Sequence, residues 1–187
     1  MWNTEKRFLV LEEKVDDNNE VESLLNLVFT PQRTELGSYY FRENVSRVEF
    51  LCKVIKNDYG HIIGSIRYWP VYLGKKKLSC LLLGPLAVHP ICQGEGIGAK
   101  LVFKTLNLAE KYGWERIILV GDEPYYSRFG FKKKLAKDLI FPKPVNQDRL
   151  LGLELKPNSL KRAKGLVSKF EEVNQHSFKI NFKNSSN

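Results

Sequence analysis

Residues 81–101 read LLLGPLAVHPICQGEGIGAKL: an apolar run, a short break, then Gly94, Gly96 and Gly98 packed into five positions. The pattern is that of a strand that leaves a sheet, turns and enters a helix. Glycines this dense mark a backbone that must turn sharply or approach something closely. Beyond them, Ile97, Leu101, Leu108 and Tyr112 recur at helical spacing, and Gly113 stands where such a helix would end. WERIILVGD, residues 114–122, has the composition of a buried strand. A strand–helix–strand unit of this length pairs its strands in parallel through a right-handed crossover.

The rest of the chain builds outward from this unit. RFLVL at 7–11 suits a short first strand. DDNNEVESLLNLVFTP reads as a helix with Val21, Leu24, Leu25 and Val28 on one side, Asp and Asn as caps, and Pro31 as its stop. Residues 36–44 suggest a second, weaker helix. RVEFLCKVIK then alternates with strand period, NDYG turns the chain, and HIIGSIRYW is a strand ending at Pro70. LGKKK turns it again into LSCLLLGPLAV, so these three strands form an antiparallel meander. After EPYYSRF, a short helix or turn, GFKKKL and LLGLEL are candidate last strands. From Lys156, PNSLKRAKGLVSKFEEV reads as a basic amphipathic helix, and NFKNSSN as a frayed tail. The expected class is a mixed α/β fold: a central sheet, antiparallel in its first half and parallel at its centre, with helices on both faces. Residues 1–155 form the domain, and 156–187 a basic helix and tail packed on it or extending from it.

Composition bounds the function. A chain of 187 residues with 43% hydrophobic and 12% aromatic content folds as one domain. No apolar run approaches the roughly 20 residues of a membrane span, and the start, MWNTEKRFLVLEEKVDDNNE, is too charged for a signal peptide. A cytoplasmic, membrane-free protein is expected, as monomer or homodimer. Cys52, Cys80 and Cys92 lack metal-ligand spacing and read as free thiols, so no metal is expected. The net charge of +9 lies toward the C-terminus: 17 basic against 16 acidic residues over 1–131, and 13 against 5 over 132–187. That excess leaves nucleic acid open as a partner, although no nucleic-acid motif accompanies it.

Three uses of the glycines compete. In a dinucleotide-binding turn, Asp122 would be the ribose-binding acid; yet Gly94-x-Gly96-x-Gly98 lacks the two-residue gap, and an antiparallel meander is foreign to that fold. A bare strand-to-helix turn needs one glycine, not three. A pyrophosphate cradle, built from main-chain N–H groups at a helix N-terminus, uses them all.

QGEGIGA, following PLAVHP, resembles the acetyl-CoA motif (Q/R)-x-x-G-x-(G/A) of the GNAT N-acetyltransferases, with Gln93, Gly96 and Gly98 at its defining positions. YYSRFGF resembles the superfamily's Y-x-x-x-G-F segment through Tyr126, Gly130 and Phe131, and the two stretches together are similar to its bacterial YhbS-like branch. The likeness is sharp over 81–131 and follows element order over roughly 7–155. It implies the GNAT-like acyl-CoA N-acyltransferase fold, with acetyl-CoA as co-substrate and a primary amine as acceptor, acetylated by direct attack in a ternary complex. It implies a splayed strand pair whose gap holds the pantetheine arm against Leu86, Ala87 and Val88. The pyrophosphate would rest on Gln93, Gly94, Glu95, Gly96, Ile97, Gly98 and Ala99, with Lys100 and Lys104 near its charge. The Val88 N–H would face the oxyanion. Tyr126 is the expected acid for the thiolate, and Tyr125 a structural neighbour facing elsewhere. Many superfamily members carry a strand glutamate where this chain has Leu83-Gly84-Pro85, so Glu35, Glu49, His61 and Asp122 remain candidate bases acting through water, with His89 a turn residue. Tyr68, Trp69 and Tyr72 are candidate acceptor-side residues. A non-catalytic acyl-CoA-binding module with the same fold is the alternative.

Overall fold

The computed structural model describes residues 8–29, 33, 37–143 and 145–170. Strands β1 (Val10–Glu12), β2 (Lys53–Lys56), β3 (Ile62–Leu73) and β4 (Leu78–Val88) lie side by side, each antiparallel to the next. β5 (Arg116–Val120) runs parallel to β4, as the strand–helix–strand pattern requires. The short β6 (Leu139–Ile140) stands off this row, and β7 (Leu150–Glu154) closes it antiparallel to β5. β8 (Gly165–Lys169) pairs with both β6 and the far end of β3.

Helices cover both faces. Val54 and Ile55, neighbours on β2, point opposite ways. Val54 packs with Val21, Leu24 and Leu25 of α1 (Asn18–Phe29), while Ile55 packs with Ile97, Leu101 and Val102 of α2 (Ile97–Lys111). Covered from both sides, β3 is buried along its whole length. α2 settles closely because Gly64 lies beneath it: a Cβ there would come within 2.6 Å of Ile97 Cγ2. The helix ends as expected at Gly113, which takes φ +80°. Gly113 N–H bonds Glu110 O and Trp114 N–H bonds Ala109 O, the paired bonds of a Schellman stop.

The structure departs from the sequence reading at several elements. Residues 47–56 do not form one strand, because a 3₁₀ turn at Glu49–Leu51 precedes β2. Residues 37–42 are a 3₁₀ helix, not an α-helix. β3 does not end at Pro70 but runs to Leu73. Tyr68 O accepts from Val48 N–H on the β2 side, so Pro70, two residues on, puts its missing N–H on that same edge. No strand pairs there: β2 reaches only Ile66, and β8 begins opposite Val71. GFKKKL is not a strand; Lys132 makes one bridge to Gly152 before a 3₁₀ turn at Lys133–Leu135. The proposed basic helix after Lys156 is a turn followed by β8, because the end of β3 offers an unpaired edge that the segment fills. Pro31, Glu35 and the tail 181–187 lie outside the described residues. Among the described residues, no helix is long and apolar enough to cross a membrane, and no group of His, Cys, Asp or Glu is arranged to hold a metal.

Leu101, fully buried between α2 and the sheet, tests this packing. Leu101→Ala is expected to lower the unfolding free energy by about 2–5 kcal/mol, read from the denaturant midpoint at unchanged slope.

Candidate active site

β4 and β5 pair at only two positions, Leu81 with Ile117 and Leu82 with Ile118. Beyond them the strands part, and the cause lies in β4. From Ile66 to Tyr68 of β3 the partner moves from Leu86 to Leu83, so β4 carries one residue more than β3. This bulge, at Gly84-Pro85, uses a φ of +134° at Gly84. A bulge bends its strand and increases the twist, which carries β4 away from β5.

The bend exposes a strand edge. His89 N–H bonds Ile63 O, so residues 63 and 89 form a hydrogen-bonded pair of the β3–β4 ladder. Antiparallel pairs alternate, so Leu86 and Val88 turn their N–H and C=O groups away from β3, into the gap left by β5. Ala87 does the reverse: its polar groups face Ser65, its side chain lies under α1, and it does not line the gap. That removes Ala87 from the expected ligand-binding set.

A cleft of about 640 Å³ fills the opening. On the α2 side it is lined by Gln93, Gly94, Gly96, Ile97, Gly98 and Ala99, and the chain before α2 explains their types. Gly94 and Gly96 take φ +86° and +81°, a region costly for any side chain, although a Cβ at either would touch nothing. Gly98 has helical φ but no room, since a Cβ would lie 2.6 Å from Tyr125 Oη and 3.5 Å from Val88 Cγ2. Two glycines therefore serve the turn and one serves close approach. The first helical bond runs from Lys100 N–H to Gly96 O. The amides of residues 97–99 thus point out of the helix end, where its dipole favours an anion. Gln93 Nε2 donates to Val88 O at 3.3 Å and ties this loop to the strand end. Glu95 projects from the loop with its side chain exposed and does not line the cleft; Lys100 and Lys104, on the exposed side of α2, do not line it either.

α3 (Glu123–Tyr126) closes the β5 side and brings both tyrosines to the cleft. The Tyr126 ring packs edge-on against Phe131, with centroids 5.8 Å apart. Burial, reinforced by Tyr125 and Asp122, pushes its hydroxyl well above the ordinary tyrosine range, so it stays protonated. Tyr125 does not face elsewhere: its hydroxyl sits over the first turn of α2, its ring is stacked by Arg128 at 4.2 Å, and burial raises its pKa.

The other side of the opening was not legible in the sequence. Phe29, Arg33, Ser38, Tyr39 and Arg42 line it. The last three sit in the weak helix read at 36–44, a 3₁₀ helix over Gly37–Arg42, and no chemical motif in it singled them out. Of the candidate bases, Glu49 and His61 lie away from the cleft, with His61 Nδ1 3.4 Å from Glu20. Asp122 lines the cleft but is held by Arg149 Nε at 3.1 Å. His89 Nδ1 accepts from Ile91 N–H, the turn role expected of it. Tyr68 is a core residue, bonded through its hydroxyl to Thr105 Oγ1 at 2.8 Å. Trp69 and Tyr72 belong to a separate cluster with Val45 and Phe170, so none of the three aromatics expected on the acceptor side lines the cleft.

The thiols report on the same geometry. Cys52 and Cys80 are buried, and desolvation pushes Cys52 up to about 12 and Cys80 further, whereas Cys92 lines the cleft. Iodoacetamide at pH 8 is expected to alkylate Cys92 first, with the other two labelled only on unfolding, as peptide mass mapping would show.

The acetyltransferase (GNAT) family model matches residues 18–131. The uncharacterized N-acetyltransferase YhbS of Escherichia coli K12 is 30% identical over 122 residues, which span 65% of this chain and 73% of that protein. Among solved structures, Escherichia coli YhbS in complex with CoA superposes with a TM-score of 0.75 at 27% identity, covering 90% of this chain and 92% of that one. A GNAT family acetyltransferase from Brucella melitensis in complex with acetyl-CoA gives 0.65 at 26% identity, covering 87% and 96%. The parted strands, the glycine turn into α2 and the match over most of the domain agree: this chain belongs to the GNAT family of acetyltransferases.

Proposed function

We propose that the protein transfers an acetyl group from acetyl-CoA directly to a primary amine, both bound at once. The observation that carries this reading is the opening through the sheet between β4 and β5. It has a helix N-terminus at one mouth, a strand edge along its wall and a protonated tyrosine inside. The relatives crystallised with CoA and acetyl-CoA support the same donor.

The residues fit that donor. The amides at the start of α2, reached past Gly94 and Gly96, receive the pyrophosphate, and Gly98 lets the Tyr125 hydroxyl approach that helix end closely. Leu86 and Val88 offer their strand edge to the amide-bearing pantetheine arm. The Val88 N–H stabilises the oxyanion as the amine nitrogen bonds to the acyl carbon. As the carbon–sulfur bond breaks, Tyr126 gives its proton to the departing thiolate. The proton lost from the attacking nitrogen leaves through water and restores the phenol. The balance is one amine and one thioester consumed, one amide and one thiol formed.

No carboxylate stands on β4 in the stretch Leu83-Gly84-Pro85, and Asp122 is tied to Arg149. The amine therefore enters neutral. With a primary amine of pKa about 10.4, kcat/KM is expected to rise with pH from 6 to 9. Because the Tyr126 pKa is raised, its acid form persists above pH 10 and imposes no falling limb in that range. Tyr126→Phe is expected to lower kcat by about 10²-fold while leaving the KM for acetyl-CoA little changed. An undiminished kcat would remove its role. Gly98→Val is expected to weaken acetyl-CoA binding roughly tenfold or more, measured by calorimetry, a loss of about 1.4 kcal/mol.

A further inference from the structure

Behind the acceptor side of the cleft lies a network of buried charge. Arg67 on β3 and Arg47 both bond Glu13, at 2.6 and 2.9 Å, and the Glu13 carboxylate is wholly buried. Arg67 and Arg33 both bond Glu22, each at 2.5 Å. Arg33 also donates to the Tyr39 hydroxyl. Arg42 completes the group, its guanidinium 4.5 Å from the Tyr39 ring centroid and 5.0 Å from that of Trp69. Four guanidiniums, Arg33, Arg42, Arg47 and Arg67, thus meet two carboxylates, Glu13 and Glu22.

The surplus converges on the cleft. Arg33 and Arg42 line it, and Arg33 is spoken for by Glu22. Arg42 is met by the Tyr39 hydroxyl but, among the described residues, by no carboxylate, and its Nε is buried without a hydrogen-bond partner. Its Nη2 lies 3.7 Å from the Cβ position of Gly84, at the bulge where the strands part. The Tyr39 hydroxyl, already accepting from Arg33, keeps its own proton to donate. Asp122 is the single carboxylate among the described residues lining the cleft, and Arg149 neutralises it, so nothing there recognises a polycation. An uncompensated buried guanidinium is costly, and a bound oxyanion offsets that cost with charge-assisted hydrogen bonds. Burial, with the Arg33 and Arg67 guanidiniums nearby, pulls the Arg42 pKa down to about 10, while the Tyr39 hydroxyl opposes the shift.

From this we propose that the acceptor is a primary amine that also bears an anionic oxyacid group, a carboxylate or phosphate, docked on Arg42 and Tyr39. The proposal rests on the acetyltransferase reading and narrows it. A planar carboxylate or a phosphate edge matches the guanidinium fork, and its seat beside Gly84 leaves the amine to reach the point where β4 and β5 diverge.

The test compares matched amines in a thiol-release assay with the wild-type enzyme. One arm sets α-amino acids against their carboxamides, and a second sets O-phosphoethanolamine against ethanolamine. At least tenfold higher kcat/KM for the anionic member of one arm is expected, and the arm that shows it identifies the anion. In Arg42→Gln that preference is expected to collapse through a raised KM, and Arg42→Lys to recover part of it. Equal or better use of the neutral members overturns the proposal, as does an Arg42→Gln enzyme that keeps the preference. Should Arg42→Gln fail to fold, the wild-type pairs alone decide. Calorimetry with acetyl-CoA separates the two readings. Tight cofactor binding with no turnover of any anionic amine overturns the acceptor proposal only, whereas no binding overturns the acetyltransferase reading beneath it.

Discussion

Where β4 carries one residue more than β3 can pair, between Leu83 and Leu86, the strand bends and leaves β5 after a single two-residue contact. The backbone groups of Leu86 and Val88 are stranded by that departure. In a closed sheet they would pair with β5; here they are donors and acceptors without a strand. The rigid surroundings keep the gap open. β3 is buried on both faces, and β7 holds β5 through all five of its residues, so neither neighbour can follow β4 or close behind it.

The opening has two chemically different ends because the two faces of the sheet carry different elements. On the α2 face, positive potential comes from main-chain amides and the helix dipole, which need small residues and a tight turn rather than charged side chains. On the α1 face it comes from guanidiniums anchored to Glu13 and Glu22. The first arrangement suits a diphosphate lying along a backbone, and the second suits a planar oxyanion met end-on. Between them, burial keeps the Tyr126 phenol protonated.

Much of the α2 side of the cleft was legible in sequence because its geometry is local. Positive φ at Gly94 and Gly96 and the start of α2 all fall within a few residues, and the Schellman stop at Gly113 is equally short-range. The tyrosines illustrate the limit. Tyr126, singled out by its place before Phe129-Gly130-Phe131, lines the cleft, yet Tyr125, expected to face away, lines it too, because a rule that holds along a helix flank fails for a single turn at a cleft rim. Likewise, Ala87 sits between two residues that face the gap but, one step along a strand, belongs to the opposite edge.

The chain by itself determined the strand–helix–strand core, the glycine turn, the antiparallel meander before it and the family, because periodicity and φ preferences act between near neighbours. Only the tertiary structure decided that the segment after Lys156 becomes a strand, since helical spacing there was overruled by the unpaired edge of β3, a partner about a hundred residues away. It alone decided the α1 side of the cleft too. Glu13, Glu22, Arg33, Arg42, Arg47 and Arg67 have no common spacing and are gathered from separate elements and loops, so their surplus of positive charge exists only once the fold has brought them together.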